Sequence, residues 1–202
     1  MKLPIPTYNA PVTLTFALLA FALRLIDGPF QGQISMAWFA VPPHFAWNDP
    51  VHYVNLVTHV LGHRDWVHLT GNLSVFLLLG PILEEKYGSV KLLQMLFITA
   101  LATGLVNAAI FPSGLMGASG LVFMLILLSS FVGHKRGEIP MTFILVLVLY
   151  LAKEIAGMFH SDDIAQSAHL LGGLIGSMFG FLWGGKGGKA ARASSLAARV
   201  RA

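Results

Sequence analysis

The 202-residue chain contains no cysteine. That excludes disulfides, thiolate metal ligands and a cysteine nucleophile, and leaves the redox compartment open. Charge is scarce as well. Asp, Glu, Lys and Arg make up 11% of the residues, where a soluble domain carries about 25%. Hydrophobic residues make up 55%, and the mean hydropathy is +0.72. A water-facing surface cannot be built from that composition, so a soluble single domain and a disordered chain are both excluded. Lys and Arg number 13 against 9 acids, a formal net charge of +4. In a soluble chain such an excess would raise nucleic acid as a partner. Here the partner it implies is the lipid bilayer, and its first use is to orient the chain there.

A membrane-crossing helix needs about 20 mostly apolar residues. Six segments qualify: 10–26, 66–83, 92–110, 115–133, 139–159 and 164–184. The first is followed by Arg24-Leu25-Ile26-Asp27 rather than a small-x-small cleavage site, so a retained helix is expected. The expected fold is an all-α membrane protein: a six-transmembrane-helix bundle over residues 1–184, then a basic, mobile cytoplasmic tail over 185–202. With the N-terminus in the cytoplasm, Lys2, Lys86, Lys91, Lys135, Arg136, Lys186, Lys189, Arg192, Arg199 and Arg201 fall inside, and only Arg24, Arg64 and Lys153 outside. The positive-inside rule favours that orientation, which leaves both termini cytoplasmic.

The long connection from Asp27 to Asp65 carries Phe30, Trp38, Phe39, Phe45 and Trp47. Such residues are not left in water, so a compact loop lying partly in the outer interface is expected. Trp38, Trp47 and Trp66 would then sit at the outer belt and Trp183 at the inner one. No internal repeat suggests an inverted-repeat transporter.

Polar groups inside membrane spans are costly and mark candidate sites. Thr13, Thr99, Thr103 and Ser177 can bond back to their own helices. His68, Asn72, Ser119 and His169 are not disposed of so easily. His68 and Asn72 share one helical face at i,i+4, as an interhelical hydrogen-bond pair or as two donors aimed at one point. Ser119 lies between Gly117 and Gly120 at a loop-to-helix junction. There it is either a small packing residue or a nucleophile beside free backbone N–H groups. His169 rides a ridge of small residues, Ala168, Gly172, Gly176 and Gly180, that lets a neighbouring helix approach closely. It is either a satisfied polar group or a base. All four lie within about two helical turns of the outer face at a rise of 1.5 Å per residue. A serine, a histidine and two donors at one depth suit acyl transfer.

At these residues the sequence resembles the rhomboid family of intramembrane serine proteases. His68-Leu69-Thr70-Gly71-Asn72 fits the family's HxxxN motif, Gly117-Ala118-Ser119-Gly120 its GxSG motif, and Ala168-His169-Leu170-Leu171-Gly172 with Gly176 its AHxxGxxxG motif. The six-helix layout and long first loop fit too. The resemblance implies a Ser–His dyad without a carboxylate: Ser119 as nucleophile, His169 as general base and then acid. The oxyanion hole would be His68, Asn72 and the Ser119 N–H, with Gly117, Gly120 and Phe123 shaping the site. His59 and His63 would organise the first loop, and residues 84–89 would be the inner loop after span two. The substrates implied are transmembrane proteins, and no cofactor or metal is implied. A bacterial inner membrane, with the site opening to the periplasmic or extracellular side, is the setting this compact form implies.

Two departures bear on loop anchoring and substrate preference. Phe123 stands where many relatives have a tyrosine stacking on the catalytic histidine, and Val54-Asn55 where relatives often have Trp-Arg. Two other functions compete. A membrane metallohydrolase could draw ligands from His59, His63, His68 and His169, but the chain has no HExxH and no carboxylate accompanying them on a helix. A non-enzymatic rhomboid-like binding factor typically lacks the serine or the histidine, and this chain keeps both.

Overall fold

The computed structural model describes residues 7–134, 138–158 and 163–183, and these are all-helical apart from one isolated bridge between Val41 and Leu115. The helices are α1 (Pro11–Asp27), α2 (Gln33–Trp38), α3 (Pro50–Thr58), α4 (Trp66–Tyr87), α5 (Ser89–Ile110), α6 (Ser119–Ser129), α7 (Met141–Met158) and α8 (Asp163–Trp183). Each of the six apolar segments overlaps one of them. Among the described residues, α4 and α5 are the helices long and apolar enough to cross a membrane. The basic tail expected over 185–202 lies outside the described residues.

Local chemistry sets the helix ends. Asp65 caps α4 by accepting the His68 N–H at 2.7 Å. Asp49 caps α3 by accepting the Val51 N–H, and Pro50 at the first helical position has no N–H to satisfy. Helix α1 has no cap of its own, and its first turn is instead held by Glu84 of α4. That buried carboxylate accepts the N–H groups of Val12 and Thr13 at 2.9 Å each and the Thr13 hydroxyl at 2.8 Å. Thr13 therefore does not bond back to its own helix as expected. Thr99, Thr103 and Ser177 do, each donating to the carbonyl four residues earlier.

Two features depart from expectation. Segment 115–133 becomes helical only at Ser119. Leu115 is held extended by two backbone hydrogen bonds with Val41, at 2.9 and 3.0 Å, and Gly117 has φ +128°. The expected inner loop at 84–89 is absent, because α4 runs to Tyr87 and Gly88 alone, at φ +83°, turns the chain into α5. The first loop is compact, as expected, but it is built on two short helices. Asp27 accepts the N–H groups of Ile34 and Ser35 to hold α2, and Phe45, Trp47 and Tyr53 pack ring against ring beside α3. Its indoles face outward, Trp38 57% and Trp47 54% exposed, which suits a loop that meets lipid.

Helix α6 is the centre of the bundle. Its Leu121, Met124, Leu125 and Leu128 join Phe76 of α4, Met95 and Leu96 of α5, and Ile175 and Phe179 of α8 in one buried cluster. Its closest partner is α8. A Cβ on Gly172 would lie 2.1 Å from the Gly120 carbonyl oxygen, and one on Gly176 would lie 2.3 Å from that of Met124. The small-residue ridge of α8 thus brings two backbones into direct contact.

Candidate active site

With its start fixed by Asp65, α4 carries His68 in its first turn and Asn72 one turn further along the same face. The His68 ring lies against Gly117 and meets the His63 ring edge-to-face, centroids 5.0 Å apart. Asn72 is buried, and its Nδ2 has no hydrogen-bond partner among the described residues, so a donor stands unused.

The backbone leading to Ser119 is held by the first loop. The Gly117 N–H donates to the His59 carbonyl at 3.0 Å. The Ala118 N–H donates to His63 Nε2 at 3.5 Å, while His63 Nδ1 donates to the Leu61 carbonyl at 3.1 Å. His59 Nδ1 donates to the Asn55 carbonyl, and its Nε2 lies 3.4 Å from the Thr103 hydroxyl. Burial pushes both histidines down to about 4, so they are neutral at physiological pH. Neutrality suits their bonding, because an imidazolium Nε2 could not accept the Ala118 N–H. Ser119 is the first residue of α6, and its N–H is one of the four that a helix start leaves without an intrahelical acceptor.

The residue after Ser119 meets the residue before His169. A Cβ on Gly120 would lie 3.3 Å from the Ala168 carbonyl oxygen. That crossing seats Ser119 and His169 on adjoining turns of α6 and α8. Phe123, one turn after Ser119, packs its ring on His169 with centroids 4.4 Å apart and planes tilted by 42°. Gly176 lies two turns beyond His169 against Met124, where it packs helices together.

Two neighbours of the site were not singled out from the sequence. Asp65 stands at the position before the apolar run that a helix cap occupies, a signal that was available. Tyr150 acts through tertiary contacts that no local pattern announces. Among the described residues, no three His, Asp or Glu side chains form a metal-ligating cluster.

A serine at a helix start, an imidazole on the helix crossing it, and donors alongside fit an acyl-transfer centre inside an apolar helical bundle. Residues 50–186 match the Rhomboid domain. Rhomboid protease GlpG of Haemophilus influenzae is 26% identical over 129 residues, covering 62% of this chain and 67% of that protein. Rhomboid protease GlpG of Yersinia pestis is 27% identical over 177 residues, covering 85% of this chain and 62% of its own length. The chain thus spans about two thirds of the length of these relatives. It belongs to the rhomboid family and is an integral membrane protein.

Proposed function

We propose that this chain is an intramembrane serine endopeptidase that cleaves transmembrane segments of membrane proteins. The observation that supports the proposal is the close approach of Gly120 to Ala168, the neighbours in sequence of Ser119 and His169, at the crossing of α6 and α8.

In this reading the Ser119 hydroxyl attacks the scissile carbonyl carbon while His169 takes its proton. The Ser119 N–H, His68 and Asn72 donate to the oxyanion that forms. Collapse breaks the C–N bond, and His169 protonates the leaving amine. Water then attacks the acyl-enzyme, giving its proton to His169, and Ser119 recovers its hydroxyl as the new carboxylic acid leaves. The Phe123 ring packed on His169 supports orientation of the imidazole.

Helices α1, α4, α5, α6, α7 and α8 serve as six spans, with both termini in the cytoplasm and the site opening on the periplasmic side of an inner membrane. The cation distribution supports that orientation. Helix α6 has 11 residues, so it rises about 16 Å within a hydrocarbon core of about 30 Å. With its far end near the inner face, Ser119 sits below the outer surface, where water can reach it from outside. A helical substrate hides its carbonyls in backbone hydrogen bonds and must unwind locally, so Gly, Ala, Ser or Pro near the scissile bond favours cleavage.

The test is cleavage of a single-span substrate in liposomes. The parent chain cuts it, and Ser119→Ala and His169→Ala do not. His68→Ala and Asn72→Ala lower kcat by about 10²–10³ each, as expected for an oxyanion donor. Full cleavage by Ser119→Ala or His169→Ala overturns the proposal.

A further inference from the structure

A general base works only while its ring is held in the productive orientation. Phe123 touches His169, and it touches a second ring as well. Tyr150 of α7 lies with its centroid 4.5 Å from that of Phe123, planes tilted by 42°. The same tyrosine ring lies across the backbone of α8. A Cβ on Gly173, one turn after His169, would come within 2.9 Å of Tyr150 Cε1. Tyr150 therefore reaches the imidazole by two routes, through the Phe123 ring and through the turn of α8 that follows His169.

The rest of α7 sharpens the point. Over residues 141–152 its buried positions are Phe143 and Tyr150, seven apart and so on one face, while Ile144, Leu145, Val148, Leu149 and Leu151 are exposed. Phe143 packs on Phe131 beyond the far end of α6. Tyr150, 6% exposed, is the buried side chain of that stretch at the serine end of the bundle.

We infer that Tyr150 is a positioning residue for the hydrolytic reaction: its ring clamps Phe123 against His169 and ties the orientation of the imidazole to the seating of α7. This rests on the Ser119–His169 dyad of the proposed function. The clamping is assigned to the phenol ring, because the contact with Phe123 is ring to ring and the atom nearest a Gly173 Cβ is a ring carbon. A base displaced by a fraction of an ångström loses rate without losing substrate affinity.

The experiment compares the parent chain with Tyr150→Phe, Tyr150→Leu and Gly173→Ala, all in liposomes. It reads kcat and KM on a single-span substrate, the rate at which a fluorophosphonate labels Ser119, and thermal unfolding. Tyr150→Phe keeps the ring and should stay within twofold of the parent in every readout. Tyr150→Leu keeps bulk without a ring, and kcat and the labelling rate should fall about 10- to 100-fold with KM within about twofold. Gly173→Ala pushes on the same ring from α8 and should lower kcat in the same sense, so it carries the test if Tyr150→Leu does not fold. The inference is overturned if folded Tyr150→Leu or Gly173→Ala keeps the parent kcat, loses only through KM, or if Tyr150→Phe falls as far as Tyr150→Leu. A parent chain that neither cleaves nor labels would bring down the proposed function and this inference together. An active parent with an indifferent Tyr150→Leu brings down the inference alone.

Discussion

Gly117 and His68 are in contact so close that no side chain fits between them: a Cβ on Gly117 would lie 2.6 Å from His68 Cε1 and 2.8 Å from Nε2. The glycine also has φ +128°, a backbone conformation that other residues rarely adopt. Gly117→Ala therefore carries two penalties, backbone strain of about 1–3 kcal/mol and displacement of the His68 ring. Its kcat should fall at least about 100-fold, the loss of one oxyanion donor, with a smaller change in KM. An alanine variant with the parent kcat would show that His68 is not held to the reaction by this contact.

The crossing of α6 and α8 leaves no room for a methyl group either. Gly172→Ala sets a Cβ 2.1 Å from the Gly120 carbonyl oxygen, a backbone atom that cannot swing aside. Alanine is the better helix former by about 1 kcal/mol, but overpacking at a backbone contact should outweigh that and leave the protein about 2–3 kcal/mol less stable. Cleavage should fall more steeply than stability, because α8 carries His169 and would be pushed away from Ser119. Thermal unfolding in detergent and the cleavage rate of the folded fraction separate the two effects.

Glu84 is the clamp between α1 and α4. Its removal in Glu84→Ala strands the N–H groups of Val12 and Thr13 and the Thr13 hydroxyl. Groups left unsatisfied in a buried site cost about 1–3 kcal/mol each, so thermal stability should drop sharply. The clamp lies far along α4 from His68, so kcat per folded molecule should stay near the parent value. A loss of kcat with unchanged stability would contradict this division of labour.

Acid should loosen the first loop. His59 and His63 are pushed down to about 4 by burial, against 6.5 for an unperturbed histidine. Between those values the unfolded chain binds protons that the folded one refuses, so stability is full above about pH 6.5 and falls as pH drops toward 4. His59, buried within the fold, accounts for roughly 3 kcal/mol of that loss. Unfolding temperature measured from pH 7 to 4.5 should decline, and His59→Gln should flatten the decline. An unfolding temperature that is level across that range, or a variant as acid-sensitive as the parent, would contradict the burial argument.

The helical segments were legible because lipid forces every backbone polar group to be satisfied within its own helix, so long apolar runs have one outcome. The start of α6 was misplaced by four residues because Leu115 is apolar yet pinned to Val41, a pairing between distant segments. Helices α2 and α3 are too short for hydropathy to announce. They exist because Asp27 and Asp49 supply acceptors for their first N–H groups. The four polar candidates were legible because each was expensive where it stood. Tyr150 was not, since a tyrosine in an apolar run carries no sign of which ring it will meet.

The most direct test of the account is covalent labelling of the membrane-embedded chain by a fluorophosphonate, in the presence of a metal chelator, with the adduct mapped by mass spectrometry. The account predicts an adduct on Ser119 that is unaffected by the chelator and absent in His169→Ala. No adduct on Ser119, or equal labelling of that serine in His169→Ala, would contradict it.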